Sequence, residues 1–123
     1  MNDALFCSIY ADTAMTREET TAMVAELTGG AAANGDVDCA WARIAVDDDY
    51  GMFEIRQRDP NDFLGWKTLL EIMPLDGATR EAVVTGVTSL MKGLISRGLR
   101  VLAQSAYADA LPGGGEVVPS SSQ

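Results

Sequence analysis

The segment DGATREAVVTGVTSLMKGLISRG, residues 76 to 98, sets Val83, Val87, Leu90, Met91 and Leu94 at helical spacing among polar neighbours. A helix with one apolar stripe must bury that stripe against another element, so this stretch requires a layer to lie on. Arg80 and Glu81 open it, Lys92 and Arg97 suit its negative end, and Gly98 terminates it. Gly86 and Gly93 each cost about 1 kcal/mol relative to alanine inside a helix. They lie on one side of it, which predicts close packing on a sheet.

A second helix is written in TREETTAMVAELTGG. Thr16 and Glu19 have the spacing of a capping box, in which two side chains satisfy two orphan backbone donors. Thr20, Met23, Val24 and Leu27 form its stripe, and Gly29 or Gly30 ends it in a left-handed conformation.

The remaining apolar segments read as strands. In ALFCSIYA, residues 4 to 11, apolar side chains occupy both parities, as in a strand inside a sheet. AAANGD, residues 31 to 36, reads as a loop. Residues 37 to 46 read as one strand whose parity switches between Trp41 and Ile44, which predicts a β-bulge. After Asp47, Asp48 and Asp49, YGMFEIRQR is a third strand, and DPND, residues 59 to 62, is a type I turn signal. GWKTLLEIM is a fourth, with Trp66, Leu70 and Ile72 on one face and Pro74 closing it. LRVLAQSAYA is the last, and Tyr107, Asp109 and Leu111 prolong its alternation.

The predicted order is β-α-β-β-β-α-β in one domain over residues 1–112, followed by a flexible Gly/Ser-rich tail, 113–123. Two one-sided helices and a mostly antiparallel sheet make an α+β two-layer sandwich with both helices on one face. The element order resembles a ferredoxin-like split βαβ fold with one extra strand in the middle. That resemblance implies an architecture and no particular activity.

Charge bounds the function. Nine basic residues against eighteen acidic give a net charge of −9 and a pI near 4.2. Such a field repels nucleic-acid phosphates and anionic membrane surfaces, so neither is an expected partner. No apolar run reaches the roughly 20 residues a membrane helix needs. MNDALFCSIYADT lacks the basic start of a secretory signal. Cys7 and Cys39 sit in apolar segments as buried thiols, consistent with a reducing, cytoplasmic setting.

Histidine is absent, which removes the usual general base and every Ser-His or Cys-His arrangement within the chain. Two cysteines without histidine do not build a closed zinc site. The aspartate triplet fails as an EF-hand loop: Gly51 is fifth from Asp47, and Arg58 stands where the glutamate ligand belongs. TGG and PGGGE precede no Lys-Ser/Thr, so neither is a phosphate loop. No cofactor or metal is expected. Glu71 is an exposed sheet acid, or else a carboxylate in a pocket with Trp41, Trp66 or Tyr107.

The resulting expectation is a non-catalytic protein-binding module, most concretely an acidic stoichiometric inhibitor that occludes a basic surface of a partner protein. In size, acidity and lack of catalytic groups the chain is similar to many bacterial immunity proteins, which neutralise a cognate toxin. Asp47, Asp48, Asp49, Tyr50, Asp59 and Asp62 are the candidate partner-binding residues, the acids steering encounter and an aromatic anchoring it. Asp36 and Asp38 would join this rim only if they met the triplet, and a ten-residue strand keeps its ends roughly 30 Å apart. The alternatives are a small-molecule-binding or sensor domain using an open sheet face, with a homodimer as its assembly, and an enzyme with carboxylate acid/base chemistry.

Overall fold

Helix α1 (Arg17–Thr28) and helix α2 (Arg80–Ser96) form where their caps and stripes place them. The structure is a computed structural model and describes residues 5–13, 15–47, 66 and 68–117. At the start of α1 the Glu19 amide donates to Thr16 Oγ1 (3.1 Å) and the Thr16 amide donates to Glu19 Oε1 (3.0 Å), closing the capping box. Gly29 ends the helix at φ 70°. At α2 the Ala82 amide donates to Thr79 Oγ1 (3.1 Å), which makes Thr79 the N-cap ahead of Arg80 and Glu81. Gly98 follows its last turn at φ 87°.

The strands are β1 (Cys7–Asp12), β2 (Ala31–Ala33), β3 (Asp36–Asp38), β4 (Ala42–Asp47), β5 (Thr68–Pro74), β6 (Arg100–Ser105) and β7 (Glu116–Val117). They form one sheet in the order β2-β3-β4-β5-β1-β6-β7, with every neighbouring pair antiparallel. The protein is therefore α+β, with an antiparallel sheet and two helices.

One parity of each central strand meets the helices. Cys7, Ile9 and Ala11 of β1, Ile44 and Val46 of β4, Leu70 and Ile72 of β5, and Val101 and Ala103 of β6 share a core with Met23 and Val24 of α1. The five α2 stripe residues Val83, Val87, Leu90, Met91 and Leu94 complete it, none more than 1% exposed. Burial on this scale is the main stabilising term, at about 1.5–3 kcal/mol for each large apolar side chain. Gly86 and Gly93 do permit close packing, but against other partners than the strands. A Cβ on Gly86 would lie 2.3 Å from Cε2 of Trp41, and one on Gly93 would lie 2.7 Å from Cδ2 of Leu27 on α1.

Several local expectations are corrected. Residues 31 to 36 are not a loop: Asn34 (φ 55°) and Gly35 (φ 84°) both take positive φ and link β2 to β3 as a hairpin. That is the type I′ geometry for which Asn-Gly is the favoured pair. Nor do residues 37 to 46 form one bulged strand. The chain reverses at Cys39–Trp41, where the Cys39 amide donates to the Ala42 carbonyl (3.0 Å), and β3 pairs back on β4 with Val37 opposite Ile44. The switch in parity is this reversal.

Trp66 does not share a face with Leu70 and Ile72; it packs with Tyr10, Leu69 and Leu102 in a second cluster. Tyr107 and Leu111 do not prolong β6. They are buried beside the 3₁₀ turn Ala108–Ala110, with the Tyr107 hydroxyl donating to the Leu5 carbonyl (3.0 Å). A second 3₁₀ turn, Pro112–Gly115, leads into β7, which pairs with Val101 and Leu102 of β6. The strand expected at 50–58 and the turn at 59–62 lie outside the described residues. Among the described residues no helix is long and apolar enough to cross a membrane.

Candidate functional site

The parity opposite the core builds the other face of the sheet. Registers place its side chains in rows that run across the strands. One row reads Asp36 of β3, Ala45 of β4, Glu71 of β5, Ser8 of β1 and Gln104 of β6. A neighbouring row reads Asp47, Leu69, Tyr10 and Leu102. Asp38 and Arg43 face each other from β3 and β4, with Met73 beside Arg43. Rows of adjacent strands sit about 5 Å apart, so these side chains are direct neighbours.

The two ends of this face differ. Towards Tyr10 and Leu69 it is closed, because Trp66 packs over them and all three are buried. Arg100 lies 5.2 Å from the Trp66 ring centroid, a cation–π distance, and its Nε donates to Asp12 Oδ2 (3.1 Å). Towards Glu71 and Gln104 the face is exposed, and Phe6, the residue before β1, is exposed as well. Among the described residues on this face, both basic groups are matched with a carboxylate, Arg100 with Asp12 and Arg43 with Asp38. Arg43 Nε donates to Asp38 Oδ1 (2.9 Å). That hydrogen bond and the Asp38 charge, with a further contribution from Asp36, raise the guanidinium pKa. Asp36 and Glu71 add further carboxylates to this face, and Asp47 stands at its edge on the last residue of β4.

Of the candidate partner-binding residues, Asp47 is the exposed last residue of β4, opposite Leu69. Asp48, Asp49, Tyr50, Asp59 and Asp62 lie outside the described residues. The hairpin changes the geometry of the acidic rim. Because β3 folds back on β4, Asp36 stands opposite Ala45, two residues before Asp47, and not at the far end of an extended strand. The signal for this in the sequence is the Asn34-Gly35 pair.

The pocket reading of Glu71 does not hold. Glu71 is exposed on the sheet face, while Trp41 packs on α2 and Tyr107 belongs to the helix-side core. Cys7 is 3% exposed beside Tyr107, and burial pushes its thiol up to about 11, an effect that side-chain hydrogen bonding with Tyr107 and Ser105 only partly opposes. A thiol so protonated is a poor nucleophile at neutral pH. Cys39 is half-buried, its Sγ 3.3 Å from the Ala42 carbonyl oxygen. Among the described residues no group of three His, Cys, Asp or Glu side chains is placed to hold a metal ion. On the helix side a groove of about 520 Å³ runs between α1 and the β2–β3 hairpin, lined by Thr16, Arg17, Thr21, Ala32 and Asn34 among others. Arg17 crosses it, its Nε donating to the Val46 carbonyl (2.8 Å) and its guanidinium lying against Gly35.

No protein-family model matches the chain, and neither the curated proteins nor the solved structures contain a significant match.

Proposed function

We propose that this chain is a non-catalytic protein-binding module, an acidic stoichiometric inhibitor of the immunity-protein kind that occludes a basic surface of a partner protein. The observation that carries the reading is the gathering of Asp36, Asp47 and Glu71 on one sheet face, with Asp38 beside them, in a chain of net charge −9. Such a face steers a basic partner into encounter, while exposed apolar groups such as Phe6 supply contact area. Asp48, Asp49, Tyr50, Asp59 and Asp62, outside the described residues, are further partner-binding candidates in this reading.

The scaffold is inferred to be a ferredoxin-like split βαβ in two layers. Supporting this, the strands β4-β5-β1-β6 lie in that order, and α1 and α2 contribute to a single core with one parity of each. The β2–β3 hairpin is then an addition beyond β4.

The test is capture from source lysate on the immobilised protein at low and high salt, with mass spectrometry. A basic protein is expected to be retained at low salt, released as the charges are screened, and lost when Asp47, Asp48 and Asp49 are together replaced by asparagine. Retention of no basic protein at low salt refutes the proposal.

A further inference from the structure

The geometry points to the outer edge of β2 as the place where an extended, basic segment of the partner adds a strand to the sheet. The inference rests on the reading of the chain as a binder of basic proteins and names how part of that binding is made. Among the described residues β2 is the end of the sheet order, and Ala31, Ala32 and Ala33 are all exposed. Sheet edges are ordinarily guarded by charge, proline or a bulge, because unpaired amides and carbonyls accept any passing strand. This edge has no charged residue and no proline.

Register decides which groups are on offer. The two-residue turn Asn34-Gly35 makes Ala33 and Asp36, which flank it, exchange both of their hydrogen bonds. Ala31 and Ala33 therefore direct their backbone groups inward to β3, and Ala32 directs its amide and carbonyl outward. Three residues supply few such bonds, so side chains have to contribute the rest. Ala31 and Ala33 stand opposite Asp38 and Asp36, on the sheet face that carries the carboxylates. An incoming strand would lie two strand spacings from β3, about 10 Å. Lysine or arginine at alternate positions of that strand would cross the methyl groups of Ala31 and Ala33 and reach Asp38 and Asp36. Larger side chains at 31 and 33 would block that path. A second copy of this chain is the poorer occupant, since pairing β2 with β2 brings the Asp36 and Asp38 carboxylates of both copies onto one face, where they repel.

The probe is a fluorescently labelled peptide alternating lysine with valine, its control a peptide alternating glutamate with valine, and the readout is anisotropy against the full chain at low and high salt. The lysine peptide is expected to bind in a salt-sensitive manner and the glutamate peptide not at all. Ala32→Pro, which removes the outward amide while leaving the pairing to β3, is expected to weaken binding about tenfold. Asp36→Asn is expected to weaken it about two- to fivefold. Ala31→Lys with Ala33→Lys leaves the backbone intact and puts positive charge in the path, so it serves if Ala32→Pro does not fold; it is expected to abolish binding. If the lysine peptide binds both variants as tightly as it binds the unaltered chain, edge addition is overturned, and capture of a basic protein through Asp47–Asp49 is untouched. If the variants lose the peptide while lysate capture fails in the unaltered chain, edge addition stands and the inhibitor reading falls.

Discussion

Replacing Thr68 with valine is expected to stabilise this protein, although threonine and valine have the same shape and the site is 0% exposed. The reason is the hydroxyl. Among the described residues Thr68 Oγ1 has no hydrogen-bond partner, and neither has Thr20 Oγ1 on α1, where the residue is 1% exposed. A buried hydroxyl without a partner carries a desolvation cost of about 1–3 kcal/mol in protein mutational data. Valine removes that cost and fills the same volume. Strand preference is similar for the two residues in β5, and helix propensity is nearly equal in α1, so backbone terms cancel. Each substitution should therefore add about 1–2 kcal/mol. Urea unfolding measures it directly: with a slope of about 1–3 kcal/mol/M for a small protein, the midpoint rises by about 0.3–2 M. Thr21 and Thr28 provide the internal contrast, because their hydroxyls donate to the Arg17 (2.6 Å) and Val24 (2.8 Å) carbonyls. Valine at those two positions should give no such gain. The double variant Thr20→Val with Thr68→Val should gain the sum if the sites are independent, and less if one ordered water serves both hydroxyls. A fall in midpoint for Thr68→Val alone refutes the reasoning, because it means the hydroxyl does hold a native hydrogen bond.

Gly86→Ala should destabilise by about 1–2 kcal/mol, since overpacking against the Trp41 ring outweighs the helix propensity gained, and a changed tryptophan emission should accompany it. Thr79→Ala should cost about 1 kcal/mol by uncapping α2, seen as a lower urea midpoint with unchanged slope. Tyr107→Phe should cost about 1–2 kcal/mol by leaving the Leu5 carbonyl without its donor, again read from the midpoint. The Cys7 thiol is held protonated up to about 11 against an ordinary value of 9.0, and Tyr107 is shifted upward as well, chiefly by burial. Both groups favour the protonated native state, so the stability they contribute is complete below pH 9 and declines as pH rises towards 11. Cys7→Ala should flatten that decline between pH 9 and 10.5, approximately, when midpoints are compared across pH. At pH 8 iodoacetamide should label Cys39 before Cys7, and comparable labelling of both in the native protein would contradict the burial argument.

The helices were legible because their signals are local. A capping box and a stripe at 3.6-residue spacing depend on residues within one or two turns, and Thr16, Glu19 and the five stripe residues of α2 do in the structure what the spacing requires. Trp66 departs from the alternation of Leu70 and Ile72 because β5 begins only at Thr68, and its ring joins Tyr10 and Leu69. Tyr107 departs from the β6 alternation for the complementary reason. Beyond Ser105 the strand gives way to 3₁₀ turns, in which every third residue points the same way and a period of two has no meaning. What closes over the outer sheet face at Tyr10, and what leaves it open at Glu71, depends on contacts distant in the chain that no window of sequence contains.

The β2–β3–β4 segment shows how one local error propagates into function. Read as a loop followed by a ten-residue strand, it separates Asp36 from Asp47 by the length of that strand and leaves two unrelated acidic spots. Read with Asn34-Gly35 as a type I′ turn and a second reversal at Cys39–Trp41, the same residues become a three-stranded meander. Val37 and Ile44 then face the core together, and Asp36, Asp38, Arg43, Ala45 and Asp47 all fall on the opposite face. The acids are concentrated by the turn, because a strand that reverses twice returns its outward residues to one patch. Gathering carboxylates on one face is a cost to folding, since like charges brought together repel. Neutralising them tests whether that cost is structural. Asp36→Asn with Glu71→Gln should raise stability slightly at low salt and have no effect at high salt, while weakening capture of a basic protein at low salt. If the double substitution leaves capture unchanged, the patch is solvated charge and the partner is held elsewhere on the molecule.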